Sequence, residues 1–273
     1  MPRHLILVSA PRSGSNFHQA ILQQGLGNAA VFREMFNPAA PYGLESNGKD
    51  FRKLFEEETG FEVSREKRAQ LAAFFRENPL YILEVLSGIC DRLGFEFLSY
   101  TLFPGHVSAE VLQSVLYGNE CSCIFLTRRR LQRYVSLLKA EQLGAWRLVD
   151  TTAEQVSVDL ASFLEDSEQT DGWFQAVSET AVAAGAKTRR VSYDAVLNQS
   201  PPTVQFGLQR ALSGICGLPA MDLGSIKEFK QDRQKDVYKS ISNAGEVRTA
   251  LTEASLRGYA FDEPQVFSSD GYV

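Results

Sequence analysis

The chain has 273 residues, 44% hydrophobic and 22% charged, the balance of a globular protein with room for a large core. A formal net charge of −5 speaks against a general nucleic-acid coat, so no nucleic-acid partner is expected. No apolar run approaches the ~20 residues that span a bilayer and the N-terminal run is too short for a signal peptide, so a cytoplasmic protein without an integral membrane segment is expected.

Leu5 to Val8 form a short apolar run that predicts a buried strand, and Phe17, Ile21 and Leu22 then recur at helical spacing. Gly25-Leu26-Gly27 mimics a dinucleotide fingerprint but follows a helix rather than a strand, and is set aside. Val31 to Pro38 reads as a short second strand breaking at Asn37-Pro38. Residues 39–50 read as loop, and 50–58 and 65–77 as helices. With little to suggest a core strand, 39–78 is expected to be an insertion or lid. A helix over Tyr81–Leu93, a strand over Phe95–Phe103, a helix over Ser108–Tyr117 and a strand over Ser122–Thr127 follow. The remaining pattern gives a helix over Leu131–Gly144, one or two helices in 153–184, a strand over Thr188–Tyr193 and a helix over 202–216. Strands alternating with helices predict an α/β fold, a mostly parallel central sheet flanked by helices, in a single domain over 1–273.

Cys90, Cys121, Cys123 and Cys216 have no metal-site spacing, and neither do His4, His18 and His106. Reduced, buried thiols and no metal are expected. The chemistry concentrates in Ala10-Pro11-Arg12-Ser13-Gly14-Ser15-Asn16, between the first strand and the first helix. A strand–loop–helix junction presents backbone N–H groups and the positive end of a helix dipole to one anion. Gly14 allows close backbone approach, Ser13, Ser15 and Asn16 can donate or cap, and Arg12 adds a permanent charge. No lysine follows Gly14, so this is not the Walker A motif G-x-x-x-x-G-K-[ST].

A second anion element is Thr127-Arg128-Arg129-Arg130-Leu131-Gln132-Arg133-Tyr134-Val135-Ser136. A buried strand ends, arginine follows at once, and serine stands eight residues later on a helix. Positive charge at a helix N-terminus opposes the macrodipole, a conflict that a bound anion would resolve.

Both stretches resemble PAPS-dependent sulfotransferases. Pro11-Arg12-Ser13-Gly14-Ser15-Asn16 is similar to that family's 5′-phosphosulfate loop, and Arg128 with Ser136, eight residues on, to its arginine–serine element for the 3′-phosphate. The longer run from Thr127 to Trp146 resembles the bacterial branch that includes lipopolysaccharide and Nod-factor sulfotransferases, with Arg129-Arg130 in place of the usual Asn-Pro or Asp-Pro. Val191-Ser192-Tyr193-Asp194-Ala195-Val196-Leu197 resembles the family's strand-ending Y-[ED]-x-L and reads as structural.

The resemblance implies a P-loop-like sheet and a transferase that uses PAPS as co-substrate and releases PAP. It implies a carbohydrate or glycolipid hydroxyl as acceptor, with 39–78 on the acceptor side. Arg12 would stabilise the leaving bridging oxygen. Glu34, at the end of the second strand, would be the base, with His106 in Phe103-Pro104-Gly105-His106 as the alternative. Thr101 stands where relatives often carry a lysine. Arg233, Lys235 and Lys239 are candidate contacts to the 3′-phosphate. Two other readings compete: a P-loop-type small-molecule kinase, against which the missing lysine counts, and a non-catalytic nucleotide-binding module.

Overall fold

The computed structural model describes residues 1–146, 149–217 and 234–267. Its strands are β1 (Arg3–Ser9), β2 (Ala29–Val31), β3 (Phe97–Leu102), β4 (Cys121–Thr127) and β5 (Lys187–Ser192). Its helices are α1 (Ser15–Gly25), α2 (Lys49–Thr59), α3 (Arg68–Glu77), α4 (Pro79–Leu93), α5 (Ala109–Gly118), α6 (Arg130–Leu143), α7 (Leu160–Ala183), α8 (Pro201–Leu212), α9 (Ala244–Glu253) and α10 (Arg257–Phe261). The strands form one parallel sheet in the order β2-β3-β1-β4-β5. The expected α/β class and P-loop-like start, strand to loop to helix, are both present.

Side chains alternate across the sheet with period two. Leu5 and Leu7 of β1 and Ile124 and Leu126 of β4 meet α1 and α8 through Ile21, Leu22, Leu208 and Leu212. Ile6, Val8, Cys123 and Phe125 face the opposite layer, which holds residues of α2 to α5 and of α7. With both faces covered, these strands read as unbroken apolar runs. A third cluster joins α6 and the start of α7 to α9 and α10, through Leu131, Val135, Phe163, Leu251 and Ala260.

Helix starts follow local chemistry. Ser108 accepts from Val111 N (3.3 Å) ahead of α5, and Asp159 from Ser162 N (2.8 Å) ahead of α7. Pro79 and Pro201 sit in the first turns of α4 and α8, where no N–H is needed. No described helix is long and apolar enough to cross a membrane. The four cysteines are free and buried, as expected, and burial pushes Cys90 and Cys121 up to about 12.

The second strand lies earlier than Val31–Pro38. Pairing persists to Arg33, whose carbonyl accepts from Thr101 N (2.9 Å). Arg33 and Glu34 then bond to Tyr42 instead (3.3 Å each), and the chain leaves the sheet. Phe32, Met35 and Phe36 do not alternate; all three sink into the same core. Region 39–78 holds a 3-10 turn, α2 and α3. Its Phe51 and Phe75 pack edge-on against Phe32 and Phe36, with ring centroids 5.5 and 6.1 Å apart.

Chain order decides where a crevice opens. The helices that follow the adjacent strands β1 and β3, α1 and α5, cover opposite faces. In open parallel sheets ligands bind at such a switch point, outside the carboxyl ends of the strands.

Candidate functional site

Strand register brings the site together. Ser9 of β1 pairs with Leu126 of β4, and Thr127 with Ser192 of β5. The next residues along each strand, the loop from Ala10, Arg128 and Tyr193, therefore emerge side by side.

The loop is held in an unusual backbone. Arg12 has φ 72° and Gly14 φ 89°, a region that costs little only for glycine. Gly14 occupies the N-cap of α1 and offers no side chain to the first turn. A Cβ there would lie 2.6 Å from Tyr193 Cδ2, so the tyrosine ring closes directly on the loop. Ser13 Oγ is buried without a hydrogen-bond partner among the described residues. Pro11 is half-buried and Ser15 buried. Asn16 Oδ1 accepts from Arg33 Nη1 (3.2 Å), tying the loop to the exit of β2.

The two elements singled out in the sequence meet at Arg12. Arg12 Nε donates to Ser136 Oγ (3.2 Å), and its Nη1 to Trp146 O (2.7 Å). Arg128 Nη1 donates to Arg12 O (2.7 Å), and its guanidinium lies 4.5 Å from the Tyr193 ring centroid. Arg128 Nε is buried with no hydrogen-bond partner among the described residues.

The rest of the arginine run points elsewhere. Arg130 grips Asp171 of α7 through Nε (3.0 and 3.1 Å) and Nη2 (2.9 Å), and Arg133 pairs with Asp166 of the same helix. Both side chains are nearly fully buried. Carboxylates of α7 thus meet the conflict between these two cations and the α6 dipole. Arg129 is exposed, and its N–H reaches Asp194 Oδ2 (3.5 Å).

Glu34 is half-buried and accepts from Asn37 Nδ2 (2.7 Å). Since β3 lies between β2 and β1, Glu34 exits two strands from the loop, about 10 Å by ordinary strand spacing. His106 follows β3, the direct neighbour of β1, and is 9% exposed. Its Nδ1 accepts from Phe103 N (3.3 Å), an assignment that leaves the ring proton on Nε2. Burial lowers its pKa to about 4, keeping the imidazole neutral at neutral pH. Lys239 is exposed in the 3-10 turn Val237–Ser240, and Lys235 is exposed just before it. Arg233 lies outside the described residues.

Sequence reasoning read Tyr193 as structural without placing its ring against Gly14 and Arg128. It also passed over the Trp146 carbonyl and Glu263, whose carboxylate takes Thr127 and Ser192 at the two strand ends. A strand-ending tyrosine level with Arg128 was a legible signal; Glu263, far along the chain in an ordinary loop, gave none.

Ser13 Oγ and Arg128 Nε are buried donors without hydrogen-bond partners among the described residues, grouped at an uncapped helix start beside a glycine. Such a set of donors fits a phosphate or sulfate ester.

No family model matches the chain, and no curated protein matches it. Among solved structures, the fold is similar to the sulfotransferase domain of the Synechococcus PCC 7002 olefin synthase. That similarity covers 93% of this chain and 95% of the other, with a TM-score of 0.44 and 11% identity.

Proposed function

We propose that the protein is a sulfotransferase that moves a sulfuryl group from PAPS to a hydroxyl of a carbohydrate or glycolipid, releasing PAP. The observation that carries this reading is the meeting of the two anion elements, Arg12 with Ser136 and Arg128 with the loop backbone. Sequence resemblance to the lipopolysaccharide and Nod-factor branch supports the choice of acceptor. Pro11, Arg12, Ser13, Gly14, Ser15 and Asn16 would hold the 5′-phosphosulfate, and Arg128 and Ser136 the 3′-phosphate, with Arg233 and Lys239 as further contacts.

PAPS supplies an activated sulfuryl group: the acceptor oxygen bonds to sulfur as the bond from sulfur to the PAP phosphate oxygen breaks. Arg12 stabilises charge growing on that leaving oxygen. Glu34 takes the acceptor proton, His106 being the alternative base. Residues 39–78 shape the acceptor side. The reaction is read as cytoplasmic and needs no metal.

Calorimetry with PAP, adenosine 5′-phosphosulfate and ATP tests the reading. PAP is expected to bind, and Arg128→Ala and Ser136→Ala each to weaken it about 10- to 100-fold, a charge-assisted bond being worth roughly 1.5–3 kcal/mol. Adenosine 5′-phosphosulfate, which lacks the 3′-phosphate, should lose little. Equal losses for both ligands would remove these residues from the 3′-phosphate site. Binding of ATP alone favours a kinase, and binding of neither nucleotide a non-catalytic module.

A further inference from the structure

We propose that Glu263 is a positioning residue for the anion site, fixing Arg128 and Tyr193 from the C-terminal arm; its ligand side rests on the reading just given. Glu263 follows α10, and its side chain is 9% exposed. Its Oε2 accepts from Thr127 Oγ1 (2.5 Å) and Arg190 Nη2 (2.8 Å), and its Oε1 from Ser192 Oγ (2.5 Å). Thr127 immediately precedes Arg128, and Ser192 immediately precedes Tyr193. One carboxylate thus clamps the last ladder pair of β4 and β5 at the point where both site residues leave the sheet.

The same arm braces the other side of Arg128. Asp262 O accepts from Arg130 N (3.2 Å) and Arg130 Nη1 (3.0 Å), and Tyr259 O from Arg130 Nη1 (3.2 Å). Residues 127 and 130 are therefore both pinned by a five-residue stretch of the arm, with Arg128 between them. Beyond Thr127 the parallel ladder ends and offers no further support. Among the described residues, Arg128 itself has the Arg12 carbonyl and the Tyr193 face as partners. Its placement depends on the anchored residues around it. Glu263 also neutralises Arg190, whose Nε donates to Thr127 Oγ1 (3.1 Å), so a neutral replacement loosens the whole corner.

The test compares Glu263→Gln, Ser192→Ala and wild type for binding of PAP and adenosine 5′-phosphosulfate, alone and with Arg128→Ala. Glu263→Gln is expected to weaken PAP about tenfold and adenosine 5′-phosphosulfate hardly at all. It should cost nothing further once Arg128 is alanine, because its effect runs through that side chain. Unchanged PAP affinity, or a full additional loss in the double variant, overturns the proposal. If Glu263→Gln does not fold, Ser192→Ala carries the same comparison at smaller amplitude. If wild type binds no PAP, the functional reading fails, and hydrogen exchange on the unliganded protein decides the positioning role. Exchange must then rise at residues 128–130 and 193–195 in Glu263→Gln, or in Ser192→Ala if that variant alone folds, while α5 stays protected; unchanged exchange there overturns it.

Discussion

At Gly14 backbone conformation and packing converge on one missing atom. Its φ of 89° suits glycine, and Tyr193 fills the space a Cβ would need. Gly14→Ala is expected to lose about 1–3 kcal/mol of stability and to weaken PAP binding, because Tyr193 must move away from Arg128. Thermal melts and calorimetry check both effects, and a variant as stable and as tight as wild type contradicts them. The base is a second single-residue matter. His106 has one nitrogen engaged by Phe103 N–H, and burial lowers its pKa to about 4. Glu34→Gln keeps size and hydrogen bonding but removes basicity. It should cut turnover about 10²-fold with PAP affinity unchanged, and His106→Ala should cost less. The reverse order in steady-state assays passes the role to His106.

Between elements, the α6–α7 contact rests on buried ion pairs. Burial lowers the Arg133 pKa and raises that of Asp166, and each is opposed by the attraction of the other. Removing one partner strands the other charge in a dry contact. Asp166→Ala is expected to destabilise by about 3–5 kcal/mol, while the joint change Arg133→Met with Asp166→Leu should recover most of that. Urea unfolding measures both, and a single variant within experimental error of wild type would show the pair to be dispensable. Lys139, one turn beyond Ser136, ties the same helix to two further segments. Its buried Nζ donates to Thr151 O (3.0 Å) and Ser240 Oγ (2.8 Å), joining α6 to the turn that carries Lys239.

Across the whole molecule, acid sensitivity is set by histidines spread through the fold. His4, His18 and His106 are all buried, and desolvation lowers each from 6.5 to about 4. The unfolded chain therefore binds protons that the folded chain refuses between those values. Stability is full above about pH 6.5 and falls as pH drops towards 4. At pH 5 each histidine costs about 2 kcal/mol by this linkage. Urea midpoints are expected to drop between pH 7 and 5. His18→Leu, which removes a ring whose nitrogens have no hydrogen-bond partner among the described residues, should shrink the drop by about a third. A flat profile over that range would show that the rings are not held neutral.

What the sequence by itself determined was local. The Leu5–Val8 run, the small residues from Ser9 to Ser15 and the eight-residue step from Arg128 to Ser136 are each read within one or two turns of chain. Strand, loop and helix follow from period and turn chemistry over such distances. That Arg130 and Arg133 pair within the protein was beyond that reach, because their partners are carboxylates of α7, a helix over thirty residues on. The second strand was misplaced for a similar reason: Phe32, Met35 and Phe36 answer to a core supplied by α2 and α3, not to a sheet period. Tyr193 beside Gly14, and Glu263 beneath Thr127 and Ser192, depend on parallel register and on where the C-terminal arm returns. Local spacing encodes secondary structure; contacts between distant segments arise only when the sheet closes and buried polar groups find partners through space.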